Sequence, residues 1–249
     1  MILFLTHEKD FFAKQCYLML KYQHQVPTRW LSWQSFQKQS QCFTLGLNGV
    51  FNPILPEPNQ IDVLYINLNG LSEGMAVKAY DNKYQLNSWL GFLMWYANQV
   101  NCCINPLKHT FFSPGVWTKD CIKRHALVVG LKTRKSLKTQ KMIVYSILGN
   151  QIETDNKTDL QALGHRKIDA CFKLLNRLEL KFGQFHFDET LALCRFSPFI
   201  QSQISVPVII KACRYMLTHL SNNGFQYMHS LENVDGWTIA SSLRPKMIG

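Results

Sequence analysis

The first apolar run, Met1–Thr6, is unbroken and ends in the polar stretch Thr6-His7-Glu8-Lys9-Asp10, which predicts a buried strand and a turn. Asp10 is placed to cap a helix running to about Tyr22, and Phe12, Cys16, Met19 and Leu20 repeat there at helical spacing. Val26–Trp33 predicts a second short strand with its extension. Gln34–Gln41 is polar and reads as a helical turn, and Thr44–Phe51 reads as a hairpin around Asn48-Gly49. After the Pro-rich connection Asn52–Pro58, Ile61–Asn67 is a strong strand pattern. Asp81–Val100 follows as a long helix with Leu86, Leu90, Leu93, Met94 and Ala97 on one face, and Ile104-Asn105-Pro106 closes the unit. This order predicts a small open α/β layer over residues 1–108.

The second half has a different rhythm. Ala126–Lys132 and Met142–Leu148 read as β runs joined by Thr133–Lys141, and Gly149-Asn150 as a turn. Residues 156–166 read as a polar connection into a helix at Lys167–Leu180, whose face is Ile168, Cys171, Phe172, Leu175 and Leu178. Two short strand runs, Gln184–Phe187 and Leu191–Phe196, flank the turn Asp188-Glu189-Thr190. A helix started by Pro207 runs to about Leu220. These elements predict an α+β domain over residues 109–221, followed by a tail at 222–249. There is no internal repeat and no low-complexity tract.

Composition narrows the class. With 249 residues and 47% hydrophobic content the chain can bury a substantial core, and global disorder is excluded. A net charge of +11 favours an anionic partner without naming one. The eight cysteines form no CxxC pair, and the N-terminus has neither a basic n-region nor a long apolar stretch. The expectation is a reduced, cytoplasmic protein with no membrane association.

Several clusters are candidates for chemistry. Lys119–Lys141 is basic, with Asp120 its only acid. If the two flanking β runs pair, Lys132, Arg134, Lys135, Lys138 and Lys141 sit on a cationic hairpin tip. Such a tip grips phosphates or an acidic peptide, or else is a solvated loop. The aromatics Trp30, Trp33, Phe36, Trp89, Phe92, Trp95 and Tyr96 read as core or as a subunit interface. Cys121 and His125 are four apart, too few ligands for zinc. Cys102 and Cys103 read as packing residues. Cys194 lies beside Arg195 and near His186, a setting that lowers a thiol pKa; burial is the competing reading. No GxGxxG, GxxxxGK, GxSxG or HExxH motif is present.

The helix, the hairpin 184–196, Pro198 and the Pro-started helix resemble the C-terminal end of ATP-grasp ligases of the peptide-modifying, ribosomal-protein-glutamylating type. The opening Ile-Leu-Phe-Leu-Thr-His-Glu-x-Asp and the long helix leading to Ile-Asn-Pro are similar to the pre-ATP domain of the same ligases. The resemblance covers about residues 1–108 and 140–220. It implies a pre-ATP-grasp-like α/β domain followed by an ATP-grasp-like domain. In that family an Asp on the first hairpin strand and a Glu-x-Asn-Pro on the second hold the magnesium ions that bridge the ATP phosphates. Aligned on Pro198, this chain has His186, Arg195 and Ser197 at those places. The long insertion with the nucleotide-covering Gly-rich loop has no counterpart between Pro106 and Ala126, so the second domain is expected to be truncated.

The first reading is therefore a non-catalytic pseudo-enzyme on an ATP-grasp-like scaffold, without a cofactor, binding a peptide or protein partner in peptide maturation. The resemblance also implies a homodimer. The alternative is a divergent ATP-dependent carboxylate–amine ligase, with ATP and magnesium held through Asp188 or Glu189. A second alternative is a nucleic-acid-binding module using the basic hairpin.

Overall fold

The computed structural model describes residues 1–32, 35, 44–46, 49–51, 55–67, 91–105, 119–134, 142–154, 157–200 and 204–220. Two four-stranded sheets and a short hairpin organise them. The first sheet is parallel, in the order β2-β1-β5-β6, from β1 (Ile2–Thr6), β2 (Thr28–Ser32), β5 (Val63–Ile66) and β6 (Cys102–Ile104). β3 (Thr44–Gly46) and β4 (Gly49–Phe51) form the hairpin, with Gly46 opposite Gly49.

The parallel sheet is covered on both faces, which is why its strands read as apolar runs rather than alternations. Ile2, Phe4, Val63, Tyr65 and Ile104 face helix α1 (Phe11–Leu18), which contributes Phe12, Ala13 and Cys16. Leu3, Leu5, Leu64 and Ile66 face the opposite way, onto Leu93, Tyr96 and Ala97 of α2 (residues 91–99). Cys102 and Cys103 fall on opposite faces for the same reason. Asp10 caps α1 as its sequence position predicts, accepting from the Ala13 amide at 3.0 Å. Trp30 stacks on Phe4, and the Tyr96 hydroxyl donates to the Pro56 carbonyl at 2.6 Å, so both belong to the packing. Trp33, Phe36 and Trp89 lie outside the described residues.

The second sheet is antiparallel, in the order β10-β9-β7-β8. It consists of β7 (Ile143–Leu148), β8 (Gln151–Thr154), β9 (Phe182–Phe187) and β10 (Leu193–Ser197). One face carries Tyr145, Ile147, Phe185 and Phe187, packed on Cys171, Leu174 and Leu175 of α4 (Lys157–Arg177) and on Leu178 just after it. Each such fully buried side chain is worth about 1.5–3 kcal/mol over its exposed state. At Gly183 a side chain would meet Leu175 at 2.7 Å, which explains the glycine inside a strand.

The two sheets share one apolar cluster. α5 (Val206–Leu217) lays Val208, Ile209, Ala212, Cys213, Met216 and Leu217 against α1, the parallel sheet, Leu148 and Phe182. Asn105 ties the same place together. It holds a φ of 56°, a conformation asparagine tolerates better than most residues. Its Oδ1 accepts from the amides of Lys181 at 3.0 Å and Phe182 at 2.9 Å, and its Nδ2 donates to the Pro198 carbonyl.

Two expected elements are different. Ala126–Lys132 is no strand: residues Lys119–Val128 form helix α3. Ala126 is fully buried, whereas Leu127 and Val128 are 59% and 66% exposed, so the apolar run meets the core only at helical spacing. The polar connection at 156–166 is also helical, since α4 begins at Lys157 and breaks its dihedrals only at Gly164, whose φ is 69°. Among the described residues no helix is long and apolar enough to cross a membrane.

Candidate functional site

The turn after β9 is built by one carboxylate. Asp188 Oδ1 accepts from the Thr190 amide at 2.9 Å, the Thr190 hydroxyl at 2.7 Å and the Ala192 amide at 2.9 Å. Those bonds, the Thr190 hydroxyl first, hold the buried Asp188 carboxyl below its usual range although burial opposes them. Its Oδ2 makes no hydrogen bond and stands 3.5 Å from Arg134 Nη1. Glu189 is exposed at the tip.

Beyond the turn, β10 is irregular between Leu193 and Arg195, and then pairs Arg195 with His186 and Ser197 with Gln184. Residues directly opposite in an antiparallel pair share a face. His186, Arg195 and Ser197, the positions that the resemblance singles out, thereby lie on one face. Ser146 and Val144 of β7, opposite Gln184 and His186, extend that face. Gln184 donates to the Ser146 hydroxyl at 3.3 Å. The face is apolar at one end of the sheet, at Leu148 and Phe182, and polar at the other.

The electrostatics of the polar end are set by burial and by one cation. Burial, with the Arg195 charge added, pushes His186 down to about 4, so its imidazole is neutral at physiological pH. The Ser197 hydroxyl donates to the Phe199 carbonyl at 2.7 Å and accepts from the Phe199 amide at 3.2 Å, which closes the turn at Pro198. Magnesium requires hard oxygen donors, carboxylates above all, in near-octahedral array. A buried neutral imidazole, a permanent guanidinium cation and a hydroxyl already donating to backbone do not fit it. Among the described residues no group of three or more His, Cys, Asp or Glu side chains is gathered to hold a metal ion.

The strand expected on the N-terminal side of the basic tip is not formed, since Lys119–Val128 is helical. Residues 131–134 run beside β10, with Thr133 bridged in parallel to Leu193. The Leu193 amide donates to the Lys132 carbonyl at 2.7 Å and the Arg134 amide to the Leu193 carbonyl at 3.0 Å. The expected pairing fails because its first strand is helix α3. Lys132 and Arg134 are exposed, while Lys135, Lys138 and Lys141 lie outside the described residues.

Cys194 is not an activated thiol. Burial and the Asp188 charge raise its pKa, and its Sγ lies 3.6 Å from the Ala192 carbonyl. Cys121 and His125 do share α3, but His125 Nδ1 accepts from Arg177 Nε at 2.8 Å, which is a helix-to-helix contact. Sequence reasoning missed Asn105 as the residue joining the sheets; its place before Pro106 marked only an end.

No protein-family model matches this chain, and no curated protein matches it. Solved structures do. The macrocyclase MdnB from Microcystis aeruginosa MRC is similar at a TM-score of 0.59 and 13% identity, over 86% of this chain and 98% of that one. The ATP-grasp ligase PsnB, complexed with minimal precursor, Mg and ADP, is similar at 0.62 and 8% identity, over 88% and 97%. A RiPP-associated ATP-grasp ligase from Chryseobacterium gregarium, in complex with ADP and a leader and core peptide, is similar at 0.55 and 10% identity, over 93% and 95%. At such identities the likeness concerns the fold, and the fold of this chain is ATP-grasp-like.

Proposed function

We propose that this chain is a non-catalytic ATP-grasp-like protein that binds a peptide or protein partner in peptide maturation. One observation carries the reading: the hairpin pairs His186 with Arg195, and a fixed cation stands where the resemblance puts a ligand for a divalent cation. The partner class is supported by the neighbours. They are peptide-modifying ligases, and PsnB and MdnC are known in complex with the precursor peptides PsnA2 and MdnA. On this reading the scaffold serves to present a surface.

The ligase alternative has less support. Asp188 Oδ1 accepts three hydrogen bonds inside its own turn, and Oδ2 faces the Arg134 guanidinium. Recruiting a metal there means giving up the turn. Titration calorimetry of ATP, with and without magnesium, tests the proposal. No magnesium-dependent heat is expected. Saturable magnesium-dependent binding in the micromolar range overturns it and returns the chain to the ligases.

A further inference from the structure

At the apolar end of the antiparallel sheet, away from the Asp188 turn, a cleft of about 610 Å³ opens between α4, α5 and the β7–β8 turn. That volume is within the range of small-molecule sites. Its cationic lining is Lys181 and Arg214 with the His219 imidazole beside them, its amides are Asn150, Gln151 and Asn176, and Phe172, Leu175, Leu180 and Tyr215 form apolar walls. None of the described lining residues is acidic.

The walls are built. Gly149, at a φ of +65°, has no side chain, and a Cβ there would lie 2.0 Å from the Tyr215 ring. The ring therefore lies across the turn, held edge-on by Phe182 at 5.4 Å and flanked by His219 at 4.6 Å. His219 Nδ1 is 2.9 Å from the Tyr215 carbonyl, which makes Nδ1 the donor and fixes the ring against the cleft wall. Lys181 forms no ion pair with any described residue. The C-terminal ends of α4 and α5 add partial negative charge of about half a unit each. Lys181 and Arg214 bring full positive charges to the same end.

We propose that this cleft binds an amphipathic anion: a carboxylate or phosphate head set against Lys181, Arg214 and His219, with an apolar body against Tyr215 and Phe172. The site is separate from the His186–Arg195 hairpin and does not depend on whether the chain is catalytic.

NMR titration of the full chain with 4-phenylbutyrate, phenyl phosphate and the neutral 4-phenylbutanol tests this. Saturable shifts of Tyr215 and His219 are expected with at least one anion and not with the alcohol, and the better anion identifies the head. Lys181→Gln with His219→Gln is expected to weaken that anion about tenfold or more. Asn176→Trp, which blocks the cleft and keeps its charges, is expected to do the same, while Arg195→Gln leaves binding unchanged. The proposal is overturned if neither anion binds, if the alcohol binds as well, or if either cleft variant keeps full affinity.

Discussion

The two ends of strand β9 show what a single sheet face can be used for. At the Phe182 end the face is apolar, wedged between α1, α5 and the Asn105 side chain, and it joins the two sheets. At the His186 end the same face is polar: Gln184 bonds the Ser146 hydroxyl, and Ser197 bonds its own turn. Four residues along one strand separate a structural joint from a candidate site. The first end is tied down by side-chain bonds from Asn105, 76 and 77 residues away, and the second by its own turn with β7 and residues 131–134 alongside. Perturbing the first should therefore unsettle the whole chain. Perturbing the second should change titration and local exchange while the fold survives.

The largest effect is expected at Asn105. Asn105→Ala strands the buried Phe182 amide, which alone costs about 1–3 kcal/mol. The Lys181 amide and the Pro198 carbonyl also lose their partner. A shift of the urea midpoint to lower concentration is the readout, and an unchanged midpoint would remove Asn105 from the joint. Gly149→Ala should follow at about 1–3 kcal/mol for a side chain at positive φ. It also displaces the Tyr215 ring, so a change in near-ultraviolet circular dichroism is expected alongside.

At the polar end the effects are pH-dependent. His186 titrates at about 4 in the folded chain, below the ordinary histidine value of 6.5. Between those two values the unfolded chain takes up a proton that the native chain does not. Stability is thus full above pH 6.5 and falls as pH drops toward 4. His186→Gln should flatten that slope in denaturant titrations. Asp188 works lower on the scale. Its folded pKa is depressed from 3.8, so its contribution is present above that value and is lost as pH falls through the lower folded value. Asp188→Asn should lower the midpoint less than Asn105→Ala does, remove that low-pH dependence, and speed hydrogen exchange at the Thr190 and Ala192 amides. Unchanged exchange would mean that the carboxylate does not hold the turn.

Legibility in the sequence followed the range of the determining contacts. β1, the capped α1, the turn at Asp188 and the helix from Pro207 were readable because each is specified by neighbours in sequence. His186, Arg195 and Ser197 were named from the family resemblance, and local pattern alone does not place them: a regular hairpin would put Cys194 opposite His186, and only the irregularity between Leu193 and Arg195 brings Arg195 there. Helix α3 was misread because its apolar run Ala126–Leu131 satisfies a strand pattern locally, and only burial shows that Leu127 and Val128 face outward. The first turns of α4 offer only Leu160 and Leu163 as large apolar residues before the break at Gly164, too short a stripe to announce a helix. β8 is a short edge strand of mixed polarity that a turn signal at Gly149-Asn150 could only hint at. The Asn105 bonds to Lys181 and Phe182 span 76 and 77 residues, and no local pattern encodes them. The course of residues 131–134 beside β10 is equally non-local.

The proposed function requires that the β9–β10 hairpin hold no divalent cation. Manganese is the most direct probe, since its paramagnetism reports site occupancy. Titrating the chain with manganese in the presence of a non-hydrolysable ATP analogue, and following the free ion by electron paramagnetic resonance, separates the outcomes. The account predicts a free-manganese signal equal to that of the analogue alone, with no broadening of the His186 or Phe187 resonances in parallel NMR spectra. Stoichiometric loss of the free signal, with broadening confined to β9 and β10, would contradict it.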